Sequence, residues 1–171
     1  DHGELQGDFG LLFKGPYHVD ALMRLPFIWR PAGGLESTSM TAPVGHLDLA
    51  PTFCDIAGIE VPDYMEGQVL PVSEDCGQNR ENVLTEWDSE HRSIDMHLKS
   101  IYRSDGWLCT CYEKSALYEG TEGELYNLKA DPEQRVNLWS KEIQIQAELV
   151  DELYDTLPAA REPKLEREAP V

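Results

Sequence analysis

Apolar and polar residues alternate along four short segments in the second half of the chain. The segments are residues 82–88 (NVLTEWD), 96–105 (MHLKSIYRSD), 106–114 (GWLCTCYEK) and 123–128 (GELYNL). A period of two with β-branched and aromatic residues is typical of β-strands. Ser104, Asp105 and Gly106 join the second segment to the third and suit a hairpin turn. The pattern predicts a four-stranded antiparallel sheet.

A helical period follows these strands. In the segment KEIQIQAELVDELYDTL (141–157), apolar residues recur every three or four positions, which predicts an amphipathic helix that covers the sheet. The predicted buried face carries Ile143, Ala147, Val150, Leu153 and either Tyr154 or Leu157. The charged, proline-containing residues from about 160 onward predict a flexible tail.

The first half of the chain is less regular. LPFIWRP (25–31) is an apolar run between prolines, which predicts a buried strand. PYHVDALMRL predicts a helix from about Pro16. GHLDLAPTFCDIAGIEVP (45–62) predicts a second helix that ends at Gly58, with Pro51 in its first turn or at a kink.

The polar stretch 72–81 lacks periodicity and predicts a boundary between two parts. Residues 1–78 are expected to form an incomplete α/β layer, in which loops, short helices and a buried strand alternate. Residues 79–171 are expected to form a small α+β subdomain, with the four-stranded sheet packed on the C-terminal helix. The predicted fold class is therefore α/β with a small antiparallel unit at its end.

Composition and charge narrow the classes of function. The 171 residues include 32 acidic and 14 basic ones, for a net charge of −18. An excess of this sign argues against nucleic acid as a partner, because a phosphate backbone needs a basic surface. No run approaches the roughly 20 apolar residues of a membrane helix, so no membrane partner is expected.

The four cysteines predict free thiols. Cys54 lies in a helical pattern, Cys76 in a polar loop, and Cys109 and Cys111 on one face of a strand. Neighbours on one strand face are poor disulfide partners, and the spacing does not match a zinc site. The redox compartment, and with it the localisation, stays open.

Residues that suit chemistry stand at the start of the chain. Asp1 and His2 precede Gly3, which lets the chain turn so that a carboxylate oxygen and a ring nitrogen reach one cation. The same three residues also suit an ordinary turn. Lys14 precedes Gly15 and the helix expected from Pro16, where an ammonium and free N–H groups suit a sulfate or phosphate. A solvated lysine is the alternative.

Three segments in this order resemble the sulfatase family of the alkaline phosphatase superfamily. They are DHGELQGDFGLLFKGPYHVDALMRLPFIW (1–29), GHLDLAPTFCDIAGIEVPDYMEGQVL (45–70) and ELYNLKADPEQRVNLW (124–139). The resemblance implies that residues 1–78 are the C-terminal remnant of an alkaline-phosphatase-like catalytic α/β domain. The missing strands of its sheet would leave an exposed apolar edge around residues 25–31. The resemblance also implies a metal-dependent sulfuric ester hydrolase that acts on a sulfate ester, a small molecule or a glycan.

The resemblance also implies roles for single residues. Asp1 and His2 would be ligands of a divalent cation. The resemblance implies Ca²⁺, and Mn²⁺ or Zn²⁺ are alternatives because His2 offers a nitrogen ligand. Lys14 would be catalytic and contact the sulfate near its bridging oxygen, and His18 is a second catalytic candidate. Lesser candidates are Glu4 and Asp20 as partners of the metal ligands, Arg24, His46 and Asp48 as structural residues, and His91 and His97 at the surface.

The resemblance leaves the nucleophile unaccounted for. Sulfatases use a formylglycine made in a C/S-x-P-x-R motif, and none of the four cysteines stands in one. We therefore expect these 171 residues to be inactive alone and to need an N-terminal part of the same enzyme, with oligomerisation open. Two alternatives remain: a phosphonate monoester hydrolase or phosphodiesterase of the same superfamily, and a non-catalytic anion-binding module or pseudoenzyme.

Overall fold

A four-stranded antiparallel sheet forms the second half of the chain. The structure, a computed structural model, describes residues 1–30, 34, 39, 41–70, 80–91 and 94–157, with the backbone alone at 90, 91 and 94. The strands are β1 (Asn82–His91), β2 (Ile94–Arg103), β3 (Trp107–Tyr112) and β4 (Gly123–Asn127). They pair in the order β1-β2-β3-β4, each antiparallel to the next. The sheet predicted from alternation is confirmed.

The turn between β2 and β3 follows from its glycine. Gly106 has a φ of 99°, a conformation that residues with a Cβ rarely adopt. Its N–H donates to the carbonyl of Arg103 at 2.8 Å and closes the hairpin. The register that results pairs Ile101 with Cys109 and Ser100 with Thr110.

The main core lies between one face of the sheet and the helix α3 (Ile143–Thr156). We call this face, with Ile101, Cys109 and Leu125, the helix face of the sheet. Leu149 and Leu153 of α3 are both 0% exposed and pack against those three residues. The helix is confirmed, and the buried free thiols Cys109 and Cys111 lie beneath it.

The predicted buried face of α3 is partly wrong. Ile143 is 57% exposed, and Ala147 and Tyr154 are also exposed. At 3.6 residues per turn these residues lie on the side of the helix away from Leu149, the residue that meets the sheet. The prediction included Ile143, Ala147 and, as one option, Tyr154, and it omitted Leu149, which is fully buried against the sheet.

The first half has two short helices, α1 (Asp20–Met23) and α2 (Leu49–Ala57). The helix expected from Pro16 is wrong in its start. Residues 16–19 form no helix, because the N–H of Tyr17 turns back to the carbonyl of Gly15 at 2.8 Å. Leu5, Val19 and Leu22 form a small second core around α1.

The strand expected at residues 25–31 is not observed over its described part, 25–30. Phe27 is exposed and Ile28 is 94% exposed, so the expected apolar exposure is present without a strand. Pro26 supplies no N–H, and no described strand pairs with this segment. Pro31 lies outside the described residues.

α2 ends as predicted. Gly58 has a φ of 67°, and its N–H and that of Ile59 donate to carbonyls of the last turn. Pro51 is buried in the first turn. The 0% exposed carboxylate of Asp48 accepts from the N–H groups of Gly45 and Gln68 and pairs with both terminal nitrogens of Arg80 at 2.6 and 2.8 Å. This bracing role matches the expectation for Asp48.

Several expectations lie outside the described residues. They concern Cys76, the boundary at 72–79, the side chain of His91 and the tail from about 160. The division of the chain at residue 78 therefore stays a prediction. In the part that the structure describes, no helix has the length and apolar character that crossing a membrane requires.

Candidate active site

Asp1, His2 and Lys14 lie together. The Nζ of Lys14 is 2.6 Å from the Nε2 of His2, and the same Nε2 is 3.5 Å from a carboxylate oxygen of Asp1. Asp1 and Lys14 are exposed, whereas His2 is half-buried. The candidate metal ligands and the candidate oxyanion-binding lysine thus lie at one place in the fold.

A short excursion of the chain brings residue 14 back to residue 2. The N–H of Leu5 donates to the carbonyl of Phe13, and that of Gly7 donates to the carbonyl of Leu11, both at 2.9 Å. Gln6, Phe9 and Phe13 have positive φ values, which cost energy for residues with a Cβ. The excursion from Leu5 to Phe13 therefore positions Lys14 against His2 at some cost in backbone strain.

The hydrogen bond on the other side of the His2 ring fixes its tautomer. Its Nδ1 lies 2.8 Å from the carbonyl of Gly3, which accepts only, so Nδ1 carries the proton. In the neutral ring, Nε2 then presents a lone pair toward Lys14 and Asp1. The Nε2 lone pair and the Asp1 carboxylate oxygen, 3.5 Å apart, repel each other unless a positive charge lies beside them. The Lys14 ammonium supplies that charge.

These donors fit part of a divalent-cation site. A carboxylate oxygen and an imidazole nitrogen both bind such cations at about 2.0–2.6 Å, and a separation of about 3 Å or a little more allows both to reach one ion. Within the described residues, no group of three or more His, Cys, Asp or Glu side chains is arranged to hold a metal. Asp1 and His2 therefore fit as two ligands that need further oxygen donors.

His18 lies elsewhere than expected. Its Nδ1 is hydrogen-bonded to the hydroxyl of Ser100 on β2 at 2.6 Å, and that hydroxyl is 2.7 Å from the hydroxyl of Thr110 on β3. The side chain is 4% exposed. Burial, with a smaller contribution from the Lys99 ammonium, lowers the pKa of His18 to about 4. The ring is neutral near pH 7 and faces the sheet, whereas Lys14 is exposed.

The lesser candidates are ion-paired or exposed. Asp20 pairs with Arg24 at 3.0 Å, and Glu4 is exposed. His97 lies between Asp88 at 2.7 Å and Asp95 at 2.5 Å, and the hydrogen bond that its ring donates to Asp88 raises the pKa of His97 above its ordinary range. His97 is thus an ion-paired residue of the strand pair.

Sequence reasoning missed two residues that contact this region. Ser100 lies on the face of β2 opposite to Ile101 and the helix face of the sheet, and alternation alone indicates no partner there. Gln134 lies in a segment that carries the family resemblance, yet no role followed from it. The side chain of Gln134 accepts the N–H of Asp20 at 2.7 Å. Alternation along β2 gave no signal for Ser100, and nothing in its segment marked the contact of Gln134.

Comparison with known proteins identifies the family. The family model described as "N-sulphoglucosamine sulphohydrolase, C-terminal" matches residues 7–162. The uncharacterized sulfatase YidJ of Escherichia coli (strain K12) is 31% identical over 166 residues, 95% of this chain and 32% of YidJ. The Delta 4,5-hexuronate-2-O-sulfatase of Bacteroides thetaiotaomicron is 31% identical over 147 residues, 81% of this chain and 29% of that enzyme.

A solved structure gives the same result for the fold. It shows an enzyme in complex with its substrate, D-glucosamine-2-N,6-O-disulfate, and superposes with a TM-score of 0.73 at 27% identity. The match covers 91% of this chain and 32% of the other. The chain thus spans about a third of the length of these relatives. The chain belongs to the sulfatase family, and it corresponds to the C-terminal part of a sulfatase with the alkaline-phosphatase-like fold.

Proposed function

We propose that this chain supplies part of the active site of a sulfatase that removes a sulfate group from a sugar. The observation that carries the proposal is the contact of Lys14 Nζ with His2 Nε2 at 2.6 Å, beside the carboxylate of Asp1. This arrangement offers two ligands for a cation and one ammonium for an oxyanion. A similar enzyme binds a disulfated glucosamine as its substrate, and a similar relative is named for a hexuronate sulfate, which supports a sulfated glycan as the substrate class.

Each residue has a distinct role in this proposal. Asp1 and His2 bind a divalent cation, of which Ca²⁺ is the first choice and Mn²⁺ or Zn²⁺ the alternatives. When bound, such a cation polarises the sulfate oxygens as a Lewis acid. His2 binds through Nε2, because the carbonyl of Gly3 holds the proton on Nδ1. The Nε2 lone pair accepts from Lys14 in this structure, and its transfer to the cation would free the Lys14 ammonium for the sulfate. Lys14 donates to the bridging oxygen, where negative charge develops as the ester bond breaks.

The nucleophile and the remaining ligands are proposed to come from residues N-terminal to Asp1 in the whole enzyme. The chain spans about a third of the length of its relatives, which leaves room for them. A phosphonate monoester hydrolase or phosphodiesterase is the alternative within the superfamily, since phosphate and sulfate have similar shapes. A non-catalytic anion-binding module is the alternative outside enzymes.

The test uses the full-length enzyme and the variant Lys14→Ala. Loss of one donor to a developing oxyanion lowers kcat by about 10²–10³-fold, and we expect a fall of that size on a sulfated monosaccharide. Lys141→Ala is the matched control, because Lys141 is also exposed and lies just before α3, far along the chain. A kcat for Lys14→Ala equal to that of Lys141→Ala contradicts the role of Lys14.

Paired substrates separate the alternatives. Sulfate and phosphate esters of the same sugar, given to the full-length enzyme, should show a kcat/KM that favours sulfate. A preference for the phosphate ester would support the phosphodiesterase alternative. Turnover of neither ester, with retained binding of inorganic sulfate, would support the binding module.

The 171 residues alone should not turn over any sulfate ester. They hold two ligands and a lysine but, in the described part, no third ligand group, and no cysteine of the chain stands in a formylglycine motif. The measurement is release of fluorophore from an aryl sulfate by the purified chain, with the full-length enzyme as positive control. Turnover by the chain that disappears in Lys14→Ala would overturn the expectation.

A further inference from the structure

The dipeptide Asp1–His2 is held against α1 on one side. The N–H of Gly3 donates to the carbonyl of Leu22 at 2.9 Å. A Cβ built on Gly3 would lie 1.9 Å from the carbonyl oxygen of Ala21, so only glycine allows this approach. Leu5, Val19 and Leu22 bury their side chains around the same contact. The position of the metal-ligand pair therefore depends on the position of α1.

α1 is in turn attached to the C-terminal sheet at its start. His18, two residues before the helix, reaches Ser100 at 2.6 Å, and Ser100 reaches Thr110 at 2.7 Å on the next strand. These groups are 4%, 2% and 1% exposed, so the hydrogen bonds are shielded from water. Because His18 stays neutral, no charge is buried at this contact.

A second attachment lies at the first residue of α1. The Oε1 of Gln134 accepts the N–H of Asp20 at 2.7 Å and so satisfies a free donor at the helix start. Gln134 is 5% exposed and has a φ of 51°, a costly conformation for a residue with a Cβ. Strain of this kind persists where the surrounding structure requires it. A helix of only four residues would not be stable without such contacts.

We propose that His18 and Gln134 are positioning residues, which fix α1 on the sheet so that Asp1 and His2 stay in the geometry that binds the cation beside Lys14. The inference rests on the proposed function and adds a role for the sheet. His18 then acts through α1 and does not touch substrate. The C-terminal unit contributes to catalysis by holding a ligand pair that lies outside it.

The test measures Ca²⁺ binding to the full-length enzyme, stripped of metal with EDTA, by calorimetry. We expect His18→Ala and Gln134→Ala each to weaken Ca²⁺ affinity by about tenfold, the usual effect of losing a group that orients metal ligands. The value of kcat should fall by a similar factor with KM nearly unchanged. His18→Asn and Gln134→Glu keep a hydrogen-bonding group in place and should restore most of the affinity.

Tyr112→Phe is the matched control. It removes a different hydrogen bond of the same sheet, which is partly buried and runs from the Tyr112 hydroxyl on β3 to Glu124 on β4 at 2.7 Å. A merely structural role would lower the melting temperature in all these variants and leave the Ca²⁺ affinity of the folded protein unchanged. If His18→Ala folds poorly, Ser100→Ala removes the same hydrogen bond from the other side.

The outcomes separate this inference from the proposed function. His2→Ala should abolish or strongly weaken Ca²⁺ binding. A wild-type affinity in His2→Ala overturns the proposed ligand and, with it, this inference. A weakened His2→Ala combined with wild-type affinity in His18→Ala, Ser100→Ala and Gln134→Ala overturns the inference alone.

Discussion

His18 is the residue whose surroundings differ most from what its place in the sequence suggests. It follows Lys14 by four positions, yet it is buried against Ser100 and the ammonium of Lys99 disfavours its charged form. Both effects favour the neutral ring. A histidine beside a sulfate site would instead gain from being charged. The residue therefore serves the structure around the site by staying neutral.

This environment predicts a pH dependence of stability. The pKa of His18 falls from 6.5 to about 4 on folding, so the unfolded chain binds the proton more tightly. The part of the free energy of unfolding that depends on a neutral His18 ring is fully present above pH 6.5. It is lost as the pH falls toward 4, and the loss amounts to about 3 kcal/mol in total. Urea unfolding at several pH values, compared between wild type and His18→Asn, should show a shallower fall of the free energy of unfolding for the variant.

Carboxylates also titrate in this range, but they do so in both proteins, and the difference between them isolates His18. Thr156→Val provides a control, because it loses an exposed hydrogen bond to the Glu152 carbonyl and no titrating group. Parallel curves for wild type and His18→Asn between pH 6.5 and 4 would show that the ring is not held neutral.

At the scale of elements, two leucines form the fully buried part of the contact between α3 and the sheet. Leu149 and Leu153 are fully buried against the helix face of the sheet. Truncation of a buried leucine removes its transfer free energy and leaves a cavity, so Leu149→Ala should lower the free energy of unfolding by about 2–5 kcal/mol. Ile143→Ala, at a position that is 57% exposed, should change it by about 0.5 kcal/mol or less. Chemical denaturation of both variants measures the difference. An equal loss of unfolding free energy in the two variants would support the buried face that was predicted from the sequence.

The elements also show what a sequence pattern can predict. The four strands were predicted because apolar and polar residues alternate along each one. The prediction for residues 25–31 was wrong because apolar composition indicates that side chains favour burial. It does not indicate which other segment of the chain packs against them. Phe27 and Ile28 remain exposed here.

The candidate site shows the same limit. Asp1, His2 and Lys14 lie close in sequence and within a familiar motif, so they were found together. Their supports were not, because His18 and Ser100 are 82 residues apart and Asp20 and Gln134 are 114 apart. Contacts over such separations follow from tertiary packing, which local periodicity does not encode.

At the scale of the molecule, exposed apolar side chains favour association of copies of the chain, and the net negative charge disfavours it. Exposed apolar side chains are concentrated in the first half: Phe9, Leu12, Phe13, Phe27, Ile28, Phe53, Ile56, Ile59 and Tyr64. A surface of this kind usually marks a contact with another structure. We propose that the rest of the enzyme covers it. The net charge of −18 keeps copies of the chain apart by repulsion.

The balance between the two predicts salt-dependent self-association of the 171-residue chain. Raising the ionic strength from about 0.01 M to about 1 M shortens the Debye length from about 30 Å to about 3 Å, which removes the repulsion and leaves the apolar attraction. Sedimentation velocity should show monomers at low salt and larger species at high salt. Ile28→Ser should reduce the association, because Ile28 is 94% exposed among the apolar residues of the first half. Ile143→Ser, an exposed isoleucine on α3, should not, and equal effects of the two substitutions would show that the first half is not the adhesive surface.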